Sequence, residues 1–79
     1  MEKVIKYLEK HKIEYDRKYI EGLGPVLYVR GKERDNGFIP EIRIGEEKEK
    51  NLYYVRNNGW IDRDYPYRKL LKDIRDLIK

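Results

Sequence analysis

Leu52-Tyr53-Tyr54-Val55-Arg56-Asn57-Asn58-Gly59-Trp60-Ile61-Asp62 is the stretch whose reading decides the fold. Asn58-Gly59 stands between two runs rich in aromatic and β-branched residues. A two-residue type I′ turn needs positive φ at both central positions, which Asn and Gly tolerate best. The spacing therefore predicts a β-hairpin with Asn57 opposite Trp60, Arg56 opposite Ile61, Val55 opposite Asp62 and Tyr54 opposite Arg63. Directly opposed residues share a face of the sheet. Tyr53, Val55 and Trp60, with Asn57 and Asp62 near the ends, fall on one face. Leu52, Tyr54, Arg56, Ile61 and Arg63 fall on the other. The first set is the better core candidate.

Beyond the hairpin, Asp64 is a candidate helix cap and Pro66 suits a first helical turn. Leu70, Leu71, Ile74, Leu77 and Ile78 then recur at helical spacing. Before the hairpin, Gly45 to Lys50 reads as a solvated loop. Phe38 to Ile44 alternates, with Phe38, Pro40, Ile42 and Ile44 on one face and Ile39, Glu41 and Arg43 on the other. Pro40 cannot donate to a ladder, which places it at an edge or a bulge. Val26 to Arg30 is a short β-branched run, set off by the break Gly22-Leu23-Gly24-Pro25. Ile13 to Glu21 alternates loosely, and Val4, Ile5 and Leu8 mark an amphipathic helix from Glu2 to about Lys12. The expected architecture is α+β: an antiparallel sheet of three to five strands, with an N-terminal and a C-terminal helix packed on one face. Residues 1–79 make one small domain.

Composition narrows the chemistry. Apolar residues are 39% and charged residues 43%, so the core must be small and drawn from Ile, Leu, Val and Tyr. The chain has no Ala, Ser, Thr, Gln or Cys. Disulfides, thiolate zinc sites and Ser, Thr or Cys nucleophiles are thereby excluded. Such omissions fit either an extreme genomic bias or a deliberately restricted alphabet in an engineered chain. No apolar run approaches the roughly 18 residues of a membrane span. The opening Met-Glu-Lys-Val-Ile-Lys lacks the apolar core of a signal peptide, which points to a cytoplasmic protein without a membrane partner. The net charge of +4 makes an acidic partner plausible without requiring one.

The hairpin register carries the functional expectation. If Tyr53, Val55 and Trp60 face the core together with Leu27, Val29, Phe38, Ile42 and Ile44, the opposite face gathers Tyr28, Arg30, Glu41, Arg43, Tyr54, Arg56 and Arg63. Arginine neutralises phosphates, and aromatic rings stack on bases. Arg30, Arg43, Arg56 and Arg63 are thus candidate nucleic-acid contacts, with Tyr28 and Tyr54 as stacking platforms and DNA or RNA as the partner. The plain alternative is that a one-sided sheet has a polar solvent face. On that reading the chain is an engineered scaffold or a small protein-interaction domain.

Tyr28-Val29-Arg30-Gly31 and Pro40-Glu41-Ile42-Arg43 give the region from Gly24 onward a distant likeness: it resembles the DNA-binding domains of Apetala-type transcription factors and of tyrosine-recombinase arms. The resemblance implies three antiparallel strands in the major groove, with Glu41 and Arg43 outward, backed by a helix. Tyr54-Val55-Arg56 departs from it, lacking the glycine those families carry on the third strand. The helix-sheet-helix order is also similar to double-stranded RNA-binding domains and toxin RNases, whose Gly-Ser-His or basic helix-start signatures are absent here.

Catalysis finds little support. His11 has no second His with which to share a metal and suits a helix surface. A metal-dependent nuclease would need Asp16 or Asp35 to converge on Glu41 beside Arg43, and the sequence does not show whether they do. Asp35-Asn36-Gly37 has too few carboxylates for a calcium loop and reads as turn chemistry. No cofactor is implied, and the oligomeric state is open.

Overall fold

Leu27, Val29, Ile42, Ile44, Tyr53 and Val55 alternate with polar or aromatic neighbours, and in the computed structural model all six are buried. They line one face of a five-stranded antiparallel sheet in the order β1-β2-β3-β4-β5. The structure describes residues 1–57 and 59–79. Its elements are α1 (Glu2–Lys10), β1 (Tyr15–Ile20), β2 (Gly24–Arg30), β3 (Glu41–Glu47), a turn of 3-10 helix (Lys48–Lys50), β4 (Leu52–Asn57), β5 (Trp60–Tyr65) and α2 (Tyr67–Leu77). This is the α+β arrangement expected, with five strands.

Both helices cover the same face. Val4 and Leu8 of α1 and Leu70, Ile74 and Leu77 of α2 join the six strand residues, Ile13 and Tyr65 in one cluster. The helices run side by side in the same direction. At their starts, Lys3 Nζ lies 4.4 Å from the centre of the Tyr67 ring. At their ends, His11, Ile13 and Ile78 border a common hollow. The C-terminal end of α2 is seated on the end of β2: Lys32 N–H donates to the Leu77 carbonyl at 3.2 Å, and Arg34 donates to the carbonyls of Leu77 and Lys79. A cation at this end also suits the helix dipole.

The hairpin register holds at three of its four expected pairs: Asn57 with Trp60, Arg56 with Ile61 and Val55 with Asp62. Of the turn residues, Asn58 lies outside the described residues and Gly59 takes φ +86°. At the fourth pair a bulge intervenes, and Tyr53 pairs with Tyr65. Asp64 adopts φ +57°, so Arg63 and Asp64 together oppose Tyr54. The extra residue turns Tyr65 inward, where it is buried. Asp64 consequently does not cap α2. Its N–H donates to Glu47 and its carboxylate accepts from Lys50, while Pro66 occupies the N-cap without a side-chain cap.

Three other expectations are corrected. β3 spans Glu41–Glu47, so it starts after Pro40 and absorbs the first part of the expected Gly45–Lys50 loop. Phe38 belongs instead to a self-bonded loop: its N–H donates to Asn36 Oδ1 at 3.0 Å and its carbonyl accepts from Arg34 N–H at 2.7 Å. With its backbone so engaged, Phe38 cannot join the ladder and is 57% exposed. Trp60, expected in the core, is 77% exposed. It does lie on the helix-facing side, opposite Asn57, but at the ribbon's tip. A cleft between Asp73, Asp76 and Leu77 of α2 and Val55, Asn57 and Asp62 of the hairpin marks where the helical cover ends.

Tyr65 ties the bulge to α2, since its hydroxyl donates to the Asp73 carboxylate. Burial first, and then this bond, push the Tyr65 pKa far above the ordinary tyrosine value. Because the folded pKa lies above the unfolded one, the contribution is intact below pH about 10 and is lost as pH rises toward the folded value. Tyr65→Phe should cost about 1–2 kcal/mol in denaturant unfolding at neutral pH. It should also flatten the alkaline fall of the stability curve. An unchanged midpoint at neutral pH would remove this bond from the account.

Candidate nucleic-acid interface

The strand pairings arrange the outer, helix-free face in transverse rows. One row runs Asp16, Tyr28, Arg43, Arg56, Ile61 across all five strands. A neighbouring row carries Arg30 opposite Glu41, and the row on the other side carries Lys18 opposite Val26, then Gly45 opposite Tyr54. Every outward residue inferred from the hairpin register lies on this one face.

The four arginines differ in what surrounds them. Arg30 is held by carboxylates on three sides: Asp16 at 2.8 Å, Glu14 at 3.2 Å and Glu41 at 3.8 Å. The hydrogen bond with Asp16 raises its pKa further. Arg63 lies 3.8 Å from Glu47. Arg43 and Arg56 are directly opposed across β3 and β4, and neither forms an ion pair with a carboxylate among the described residues. Like charges directly opposite each other destabilise a sheet. The positive charge of this face is therefore concentrated in one cross-strand pair.

The two tyrosines are also unequal. The Tyr28 ring has Lys18 Nζ 4.6 Å and the Arg43 guanidinium carbon 4.7 Å from its centre. It serves these cations as a cation–π partner, and that fixes Arg43. Tyr54 lies across Gly45: a Cβ placed on Gly45 would meet Tyr54 ring carbons at 1.9 and 2.1 Å. Only glycine leaves space for this ring. Its hydroxyl is buried with no hydrogen-bond partner among the described residues, and burial raises its pKa while Arg63 and Arg56 lower it.

At one end of the face, Phe38, Ile39, Glu41, Arg43, Arg56 and Gly59 border an open cleft of about 390 Å³. Phe38, Ile39 and Ile61 are exposed on this side, whereas exposed Trp60 lies on the helix-facing side of the ribbon's tip. The arrangement presents two adjacent guanidinium groups beside exposed apolar and aromatic surface. Chemically it suits an anion joined to a flat or apolar group. Phe38 and Trp60 were missed as surface residues, whereas Ile39 was expected on the outward face with Glu41 and Arg43. Two signals pointed to the missed pair: Pro40, which ends the ladder, and a two-residue turn, which carries Trp60 to the ribbon's tip.

The carboxylates do not assemble a metal centre. Asp16 and Glu41 both face Arg30, and no cluster of three His, Asp or Glu side chains suited to a metal occurs among the described residues. His11 is exposed and lies against Tyr7, with ring centres 4.4 Å apart. Among the described residues, no helix is long and apolar enough to cross a membrane.

Comparison of the chain with protein-family models, with curated proteins and with solved structures returns no match.

Proposed function

We propose that the chain is a nucleic-acid-binding module acting inside the cell, and that its contact surface is the Arg43–Arg56 end of the sheet. One observation carries the reading: two arginines held directly opposite each other, with no carboxylate ion pair among the described residues. An unneutralised cross-strand pair has a cost in the isolated protein that a bound phosphate removes. Phe38 borders the cleft and supplies exposed aromatic surface on which an unpaired base can stack, a sequence-tolerant contact. Tyr28 positions Arg43, and Tyr54 supports the sheet beneath. Arg30 and Arg63 contribute from the margins, where Asp16, Glu14, Glu41 and Glu47 offset their charge.

Titration of the protein into a dye-labelled, mixed-sequence single-stranded oligonucleotide at low salt should raise its anisotropy saturably, and Arg43→Ala should weaken the midpoint by roughly 5- to 100-fold. Binding that Arg43→Ala leaves untouched would move the contact elsewhere.

Exposed Phe38, Ile39, Trp60 and Ile61 also favour a second reading, a docking surface for a protein partner. Tryptophan and arginine are enriched at such contacts. That interface would be dominated by apolar burial and change little with salt, whereas phosphate binding weakens steeply.

A further inference from the structure

The net charge is not where the sheet reading places it. Residues 1–12 and 66–79, which contain both helices, hold nine Lys and Arg against four Asp and Glu; the rest of the chain holds ten against eleven. The whole positive excess therefore lies in the helical layer, on the side opposite the Arg43–Arg56 cleft.

Its arrangement is ordered. Lys3, Lys6 and Lys10 recur along α1, and Arg68, Lys72, Arg75 and Lys79 recur along α2 and just past its end. All seven are exposed. At about 1.5 Å rise per residue the cations in each row stand about 4.5–6 Å apart along the axis. That gives one cation for every one to two phosphates of a strand, which are spaced about 3.4 Å along a duplex. Three of the four acids have partners of their own: Asp73 accepts from Tyr65, Asp76 pairs with Lys79, and Glu9 accepts from Tyr15. Of the nine helical cations, only Lys79 forms an ion pair among the described residues.

These rows go against what helix stability prefers. Lys6 and Lys10 in α1, and Arg68 and Lys72 in α2, are like charges four residues apart, each pair destabilising. Arg68 and Lys69 occupy the first turn of α2, which has no acidic residue, although the dipole there favours negative charge. Opposite charges at the same spacing, Glu2 with Lys6, Lys69 with Asp73 and Lys72 with Asp76, offset part of this cost and leave the excess positive. The exposed large apolar residues, Tyr19, Leu23, Phe38, Ile39, Trp60 and Ile61, all belong to strands and loops. The helical layer thus offers cations without an apolar wedge for a bilayer, and its one exposed aromatic ring, His11, lies at the end of α1 against Tyr7.

We propose that the outer side of the helical layer is a second polyanion surface, one that holds the phosphate backbone of double-stranded nucleic acid without reading its sequence. It goes beyond the sheet cleft and does not depend on it. The test uses the full chain carrying Lys6→Gln, Lys72→Gln and Arg75→Gln, since glutamine keeps helix propensity while removing charge. Binding to a mixed-sequence duplex is followed by anisotropy across a salt series. If each side chain neutralises one phosphate, the triple variant should lose about 2.7 from the log–log salt slope, about 0.9 apiece. Its thermal midpoint should stay close to that of the wild type, because the like-charge neighbours removed are balanced by the loss of Glu2–Lys6 and Lys72–Asp76 attraction and of Arg75 from the last turn of α2. Wild-type affinity and slope in the triple variant would overturn the proposal. So would wild-type protein that binds phosphatidylserine-containing vesicles but no duplex. Arg43→Ala/Arg56→Ala, measured alongside, separates the two surfaces. Duplex binding lost only in the triple variant upholds the helical surface and leaves the cleft unsupported for duplex; loss only in the double variant overturns the helical surface.

Discussion

Arg56→Glu should weaken nucleic-acid binding by roughly 100-fold and yet leave the fold as stable as before, or more stable by on the order of 0.5 kcal/mol. The opposite signs follow from one geometric fact, that Arg43 and Arg56 are direct cross-strand partners on the uncovered face. Glutamate at 56 converts a like-charge pair into an attractive one while reversing the charge offered to phosphate. Most single substitutions that abolish function do so by loosening the fold, so a simultaneous gain in unfolding midpoint would identify a residue retained for binding. The gain stays small because Arg56 is exposed and solvent screens the new pair. Thermal unfolding followed by circular dichroism and oligonucleotide titration on the same preparation measure both. A stability loss of about 1 kcal/mol or more would show that Arg56 supports the sheet in a way its surroundings do not reveal.

The largest stability effect should come from Gly31→Ala. Gly31 ends β2 against the last turn of α2, and a Cβ there would lie 2.2 Å from the Leu77 carbonyl oxygen and 2.7 Å from Leu77 Cγ. The obstruction is backbone, so no rotamer change relieves it. Gly31 N–H also donates to the Pro40 carbonyl at 2.8 Å, which holds the glycine in place. A methyl group must therefore lift α2 from the sheet, strain the Lys32–Leu77 bond and loosen the packing of Ile74 and Leu77. We expect a loss of about 3 kcal/mol or more, at the upper end of overpacking costs. For a chain of this length that lowers the melting temperature by on the order of 15 °C. A shift of only a few degrees would mean that the β2–α2 junction is looser than its contacts indicate. Gly45 offers the contrast: its neighbour is the Tyr54 ring, a side chain that can swing away, so Gly45→Ala should cost less.

Much of the fold was legible because periodicity and turn chemistry agreed. Leu70, Leu71, Ile74, Leu77 and Ile78 admit only a helix, and Asn57-Asn58-Gly59 sets the register that separates Tyr53 and Val55 from Tyr54 and Arg56. The core followed wherever alternation was backed by ladder pairing, as at Leu27, Val29, Ile42 and Ile44. It failed at Phe38, where Asn36 and Arg34 captured the backbone, and at Trp60, where the correct face extends past the helices that would cover it. Neither is a matter of side-chain preference; both depend on where a neighbouring element stops. The bulge at Arg63-Asp64 was equally hidden, because Asp64 resembles a cap until the Glu47 and Lys50 contacts are known. At the interface, alternation put the arginines on one face but could not show that Arg30 sits among Glu14, Asp16 and Glu41 while Arg43 and Arg56 have no such company. The uneven division of charge between helices and sheet was countable from the start and acquires meaning only once both helices are seen to share one layer.

The most direct test of the Arg43–Arg56 interface is the salt dependence of single-stranded oligonucleotide binding by the wild-type protein and by Arg43→Ala/Arg56→Ala. Each phosphate neutralised on a single strand contributes about 0.7 to the log–log slope. The account predicts a linear loss of wild-type affinity with salt, and a slope shallower by about 1.4 in the double variant together with weaker binding at every salt concentration. No binding by the wild-type protein at low salt, or identical slopes and affinities for the two proteins, would contradict it.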